Sequence, residues 1–193
     1  SLALTMQVTV ILAVVAMIGF YLVVTDPVAF WEPLLADMEK LVLDSGLELN
    51  TELLTAEIMT LSATFAFWLL FIAALLFGYG LFNGLPGETG RFGRFRDLSF
   101  GRVIASLMAV ASLLALIVDA AWLQNIAFIL FVVFWIQGLA IVHWLHAQQI
   151  LPLGAVVAIY VLLPLLQVLL LTGLGILGYM DAWFDFRRRM KKA

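Results

Sequence analysis

No cysteine occurs in the chain, which excludes a disulfide framework, thiolate chemistry and a cysteine-bound zinc. Charge is scarce too: acidic and basic residues make up only 12% of the 193 residues, and most of them are clustered. That is too little polar surface to clothe a soluble domain of this size. The net charge is -3, and no basic surface is left for phosphate, so a nucleic-acid partner is not expected. Nucleophile-and-base motifs, phosphate loops and metal-ligand runs are absent, so neither catalysis nor a cofactor nor a metal site is expected. GRFGRF at 90–95 has two glycines three apart, but it follows no strand and reads as a basic turn.

What the chain does have is apolar length. Hydrophobic residues make up 65% of it and the mean hydropathy is +1.12. The apolar runs are continuous rather than alternating, which is the pattern of membrane helices and not of a barrel. The expected fold is therefore all-α, a single polytopic transmembrane helical bundle of about five spans, 2–24, 58–82, 103–118, 122–143 and 151–179. Asp26 and Pro27 end the first span. The third is short and is closed by Asp119. The fifth contains Pro152, Pro164, Gly173, Gly175 and Gly178, so a kink or loosened turn is expected within it. Because the chain starts at Ser1 rather than Met, an N-terminal piece is expected to have been removed. The first span lacks a basic leading region and a cleavage site, and is not read as a signal peptide.

Between the first two spans, residues 30–45 form an acidic amphipathic stretch. Leu34, Leu35, Met38, Leu41 and Val42 recur at helical spacing while Glu32, Asp37, Glu39, Lys40 and Asp44 take other positions. An interfacial helix follows, with Gly46 as its stop and Asn50 as the cap of the next helix. Its acidic face disfavours anionic lipid headgroups, so those five apolar residues are candidates for contact with another membrane subunit.

Polar residues inside the spans are few. An unpaired amide in lipid is costly, so Gln137 and Gln167 should face protein, either as interhelical glue worth about 1 kcal/mol or as the lining of a ligand cavity. His143 and His146 share a helix face beside Trp144 near a membrane boundary. An interfacial role suits them better than metal, since zinc wants three or four ligands. Asp119 reads as a residue of a tight interfacial turn or a helix cap. Ala105 with Ala109, and Ala111 with Ala115, are spaced for close helix packing, within the bundle or against another subunit.

Orientation is contradictory at this level. Arg91, Arg94, Arg96 and Arg102 occupy the loop after the second span, and five basic residues follow the fifth. Three crossings would put the two clusters on opposite sides, where the positive-inside rule cannot satisfy both. A cytoplasmic C-terminus is the expectation. In the tail, Trp183, Phe184 and Phe186 read as an interfacial anchor, and Asp181 and Asp185 are spaced to pair with Arg188 or Arg189.

Three segments carry a family resemblance: FNGLPGETGRFGRFRDLSF (82–100), FWIQGLAIVHWL (134–145) and DAWFDFRRR (181–189). In order and motif they resemble the YybS-like family of bacterial membrane proteins, itself distantly similar to the substrate-binding S-components of energy-coupling-factor transporters. The resemblance covers about the last hundred residues. It implies a protein of the bacterial cytoplasmic (inner) membrane with a transporter-like fold that binds a small solute, with Gln137, Gln167 and His143 as the ligand candidates. The other reading is a structural or accessory subunit of a larger membrane complex.

Overall fold

The computed structural model describes residues 1–45, 55–87 and 91–190, and these residues are helical throughout apart from turns and loops. Helix α1 spans Leu2–Val23, α2 Pro27–Ser45 and α3 Ala56–Asn83. After a loop with a short 3-10 turn at Phe95–Asp97 come α4 Gly101–Val118, α5 Ala121–Ala147, α6 Leu153–Leu162, α7 Gln167–Phe184 and the short α8 Phe186–Met190. Five of them, α1, α3, α4, α5 and α7, are long and apolar enough to cross a membrane. The expected helical bundle is thus present, and the expected amphipathic stretch is helix α2.

Local chemistry sets the boundaries. Oδ1 of Asp26 accepts from the backbone N–H groups of Val28 and Ala29 at 3.1 and 3.0 Å, with Pro27 in the first turn, where its missing N–H does no harm. The α4–α5 turn is held by Asp119 in the left-handed region (φ 49°), where it accepts from Nε2 of Gln124 at 3.0 Å. It therefore closes α4 in a turn and does not cap α5, whose N-cap is Ala120. The kink expected in the fifth apolar run is a full break over residues 163–166, around Pro164, which separates α6 from α7, because proline cannot donate to the preceding turn. Gly46 and Asn50, expected to stop α2 and to cap α3, lie outside the described residues; the described N-cap of α3 is Thr55. Gly90 and the two tail lysines also lie outside them.

Helix α5 is the centre of the bundle, buried along nearly its whole length. Helices α4 and α5 form an antiparallel hairpin, with Ala105 and Ala111 among the core residues, so the alanine spacing serves packing within the bundle. Outward positions such as Phe67, Phe77, Val103, Leu116 and Val168 stay exposed, as suits side chains that meet lipid. At one end, Nδ2 of Asn125 on α5 donates to the hydroxyl of Tyr21 on α1 and to the carbonyl of Glu57 on α3. At the other end, the 91–100 loop meets α1 through Leu2 N–H to the Phe92 carbonyl, and α3 through the Tyr79 hydroxyl to the Gly93 carbonyl.

Glycine decides how α7 lies on α5. A Cβ on Gly138 would collide with the carbonyl oxygen of Leu174, and one on Gly178 with that of Phe134. A Cβ on Gly175 would come within 2.8 Å of Cζ of the Phe131 ring, too close unless the ring shifts. The two backbones are therefore in direct contact, the arrangement small residues permit in membrane bundles.

The expectation that the basic loop and tail face opposite sides is overturned. Nη1 and Nη2 of Arg187 donate to the carbonyls of Arg96 and Leu98, each at 2.8 Å. The same loop meets the C-terminal part of α5, where the rings of Phe95 and His143 are 5.5 Å apart. Helices α6 and α7 together thus leave the end where α5 finishes and return to it. The arginines of loop and tail share one end of the bundle, and the α1–α2 junction lies at the other.

Because the α5–α7 crossing has no room for a side chain, Gly138→Ala and Gly178→Ala should each destabilise the protein by about 1–3 kcal/mol or more. Gly173→Ala, which meets nothing within 4 Å, should be neutral or slightly stabilising. Thermal unfolding in detergent checks this, and equal midpoints for all three variants would contradict the crossing.

Candidate functional site

The arginine end holds a buried polar knot. Asp181 lies near the end of α7 on the same face as Gly178, three residues earlier, so the glycine contact carries its carboxylate to α5. There Oδ2 accepts from Nε2 of Gln137 at 2.9 Å and from Nη2 and Nε of Arg187 at 2.7 and 3.1 Å. The side chain of Asp181 is 1% exposed and that of Arg187 10%. Oε1 of Gln137 accepts from the backbone N–H of Phe100 at 2.8 Å. One amide, one carboxylate and one guanidinium thereby join α5, α7, the tail and the 91–100 loop.

The expected partners of Asp181, Arg188 and Arg189, assumed a helix running on through the tail. Asp185 instead adopts the left-handed conformation (φ 52°) and ends α7. The chain turns back and presents Arg187, six residues on, to Asp181. The other expected pairing does form: Asp185 meets Arg188 at 3.6 Å, on the exposed side. Trp183 and Phe184 remain partly exposed, as an anchor requires, while Arg187 turns inward.

The three ligand candidates do not converge. Gln137 is fully buried, with its oxygen and nitrogen both engaged within the protein. Gln167 is exposed at the start of α7 and is not bonded to Gln137, because the break around Pro164 places it outside the bundle core. His143 is half-buried, with Nε2 2.9 Å from the hydroxyl of Tyr160, and lines a different shallow groove with Tyr79, Arg94 and Arg96. No group of acids and histidines able to hold a metal occurs among the described residues. Of the partner candidates on α2, Leu35, Met38 and Val42 are half-buried on the side that packs against α3, whereas Leu34 and Leu41 are exposed.

What pattern reading missed is a polar cleft over the knot. It measures about 680 Å³ and is lined by Asp97, Ser99, Gly101, Arg102, Trp144, Asp181, Ala182, Asp185, Arg187 and Arg188. Two buried atoms among its residues have no hydrogen-bond partner among the described residues: Nε1 of Trp144 and Oδ1 of Asp181. Such atoms are rare, because leaving them unpaired costs about 1–3 kcal/mol each. The apolar groove of about 490 Å³ between α1, α3 and the start of α2 is different in kind. Its hydroxyls are occupied: Thr60 accepts from Trp31 and donates to the Ala56 carbonyl, and Thr9 accepts from Trp68 and donates to the Met6 carbonyl.

The family described as "Predicted membrane protein (DUF2232)" matches residues 31–182, more than three quarters of the chain. The chain belongs to this family. No curated protein and no solved structure matches it. The DUF2232 match begins well before residue 82, where the motifs of the sequence start, and takes in α2 to α7 with Gln137, Trp144 and Asp181. Arg187 lies just beyond it. The family's description places its members in the membrane and assigns no activity, so the chemistry of this DUF2232 protein has to be read from the cleft itself.

The pair at its floor is open to a direct test. Asp181→Asn or Arg187→Met alone leaves a buried charge without its counterion and should cost about 3–5 kcal/mol. The double replacement should cost clearly less than the sum. Additive losses in denaturation of the two single variants and the double variant would mean that the pair is not coupled.

Proposed function

We propose that this membrane protein binds a small polar solute in the cleft at its arginine end, as a transporter-like component of the bacterial inner membrane. The observation that carries this reading is the orphaned pair of Trp144 Nε1 and Asp181 Oδ1, a donor and an acceptor buried at one polar cleft. The resemblance to the YybS-like family, and through it to S-components of energy-coupling-factor transporters, supports the same reading. In it the cleft binds and does not catalyse, energising subunits act as partners, and no metal or cofactor is required. Gln137 is a positioning residue that fixes the carboxylate of Asp181, and the ligand groups are those lining the cleft.

The arginine end is taken to be cytoplasmic. Seven arginines of the loop and tail gather there, a bias that by the positive-inside rule supports a cytoplasmic placement once the two clusters share a side. The solute then enters from, or is delivered to, the cytoplasm, and α2 lies on the outer face. The cysteine-free chain is a ready background for a test. A single cysteine at Arg94 should react with an impermeant maleimide only after the inner membrane is opened, and one at Asp37 in intact spheroplasts. The reverse pattern would invert the orientation.

Mass spectrometry of protein purified gently from its native membrane tests the binding itself. A co-purifying polar solute is expected, lost in Trp144→Phe and Arg102→Gln. A second reading, an accessory subunit of a larger membrane complex, rests on Leu34 and Leu41, which α2 leaves exposed beside its acids. Stoichiometric membrane subunits without a solute, released by replacing those two leucines with serine, would favour it over solute binding.

A further inference from the structure

Resting on the reading of the cleft as a solute site, we propose that its ligand is a zwitterion that carries an ammonium together with a phosphate or carboxylate group. The two orphaned atoms have opposite needs. Nε1 of Trp144 is a donor only, and Oδ1 of Asp181, whose sister oxygen holds Arg187, is an acceptor only. A ligand that satisfies both must offer an acceptor and a donor at once.

The charges around these atoms repeat the pattern. Asp97, Asp181 and Asp185 line the cleft together with Arg102, Arg187 and Arg188, so its formal charge is balanced. Asp97 and Arg102 are exposed and make no hydrogen bond or ion pair through their side chains among the described residues, and the Asp185–Arg188 pair is loose at 3.6 Å. A simple anion or a simple cation would be drawn to half of these groups and repelled by the rest, whereas a molecule with both charges meets each with its opposite. The start of α4 adds to the anion-binding groups. Ser99, Gly101 and Arg102 line the cleft; Oγ of Ser99 accepts from the N–H of Gly101 at 3.3 Å, while the N-cap of this helix, Phe100, has no side-chain acceptor for the N–H groups that follow.

The same ammonium-and-phosphate chemistry has two sources, a soluble amino phosphate or the ethanolamine headgroup of a phospholipid at the membrane boundary. A choline headgroup carries the same charges but no ammonium N–H to give to Asp181, and serves as the control.

The test is calorimetric titration of the purified protein in phosphatidylcholine nanodiscs with phosphoethanolamine, phosphocholine, methyl phosphate and ethylamine. Phosphoethanolamine is expected to bind about tenfold or more tighter than each of the others, the factor that one lost charge-assisted hydrogen bond implies. Arg102→Gln should weaken methyl phosphate more than ethylamine, and Asp97→Asn should do the reverse. Both residues are exposed and stand outside the Asp181–Arg187 pair, so these variants should fold. Equal affinity for phosphoethanolamine and for methyl phosphate or ethylamine alone overturns the zwitterion while leaving a solute site. No binding of any of the four probes overturns the solute site with it. Repeating the titration in phosphatidylethanolamine nanodiscs separates the sources: blocked binding of phosphoethanolamine identifies the lipid headgroup, and unchanged binding a soluble solute.

Discussion

The contact between the carboxylate of Asp181 and the guanidinium of Arg187 is the constraint on which the rest of the arginine end depends. Both groups leave water, a loss that is large for each ion and is returned only if every strong donor finds a place. The structure meets that condition by recruiting backbone: two guanidinium nitrogens close on loop carbonyls, and Gln137 spans from the carboxylate to the N–H of Phe100. By comparison, the exposed Asp185–Arg188 pair, screened and longer, belongs to the class of surface bridges worth about 0–1 kcal/mol.

This knot exists because the helix beneath it comes so close. Gly138 adjoins Gln137 on α5, and Gly178 stands one turn before Asp181 on α7, so the same backbone contact that excludes side chains also sets amide and carboxylate within reach. Packing and polarity are therefore one device. Widening the crossing by a methyl would pull the acceptor from its donors, and losing the polar bonds would free α7 to slide.

The knot also explains how a chain with so few charges divides its two ends. The tail folds back onto the loop, which gathers the arginines, while Asp26, Glu57 and Asp119 sit at the helix junctions of the other end. Polar binding capacity follows the same division. The hydroxyls of Thr9 and Thr60 in the apolar groove are paired with indole N–H groups and helix carbonyls, whereas the arginine end keeps a donor and an acceptor in reserve.

The local pattern of the sequence determined the class of the protein, its long apolar helices, the amphipathic α2 and an interruption somewhere in the fifth apolar run, because each of these depends on residues near one another in the chain. The turn at Asp119, the partial exposure of Trp183 and Phe184 and the Asp185–Arg188 pair were legible for the same reason. The site was not. Gln137 was visible as a buried amide, but its partners lie 37 and 44 residues away, and Gln167, equally polar and equally apolar in its surroundings, ended outside the bundle. The place of Arg187 depended on one residue, Asp185, taking a left-handed conformation that ended a helix where periodicity would have continued it. Only the tertiary structure could decide which ends meet, because the return of α6 and α7 to the end where α5 finishes is fixed by glycine contacts between helices and by a buried ion pair, and neither leaves a mark in the hydropathy of the chain.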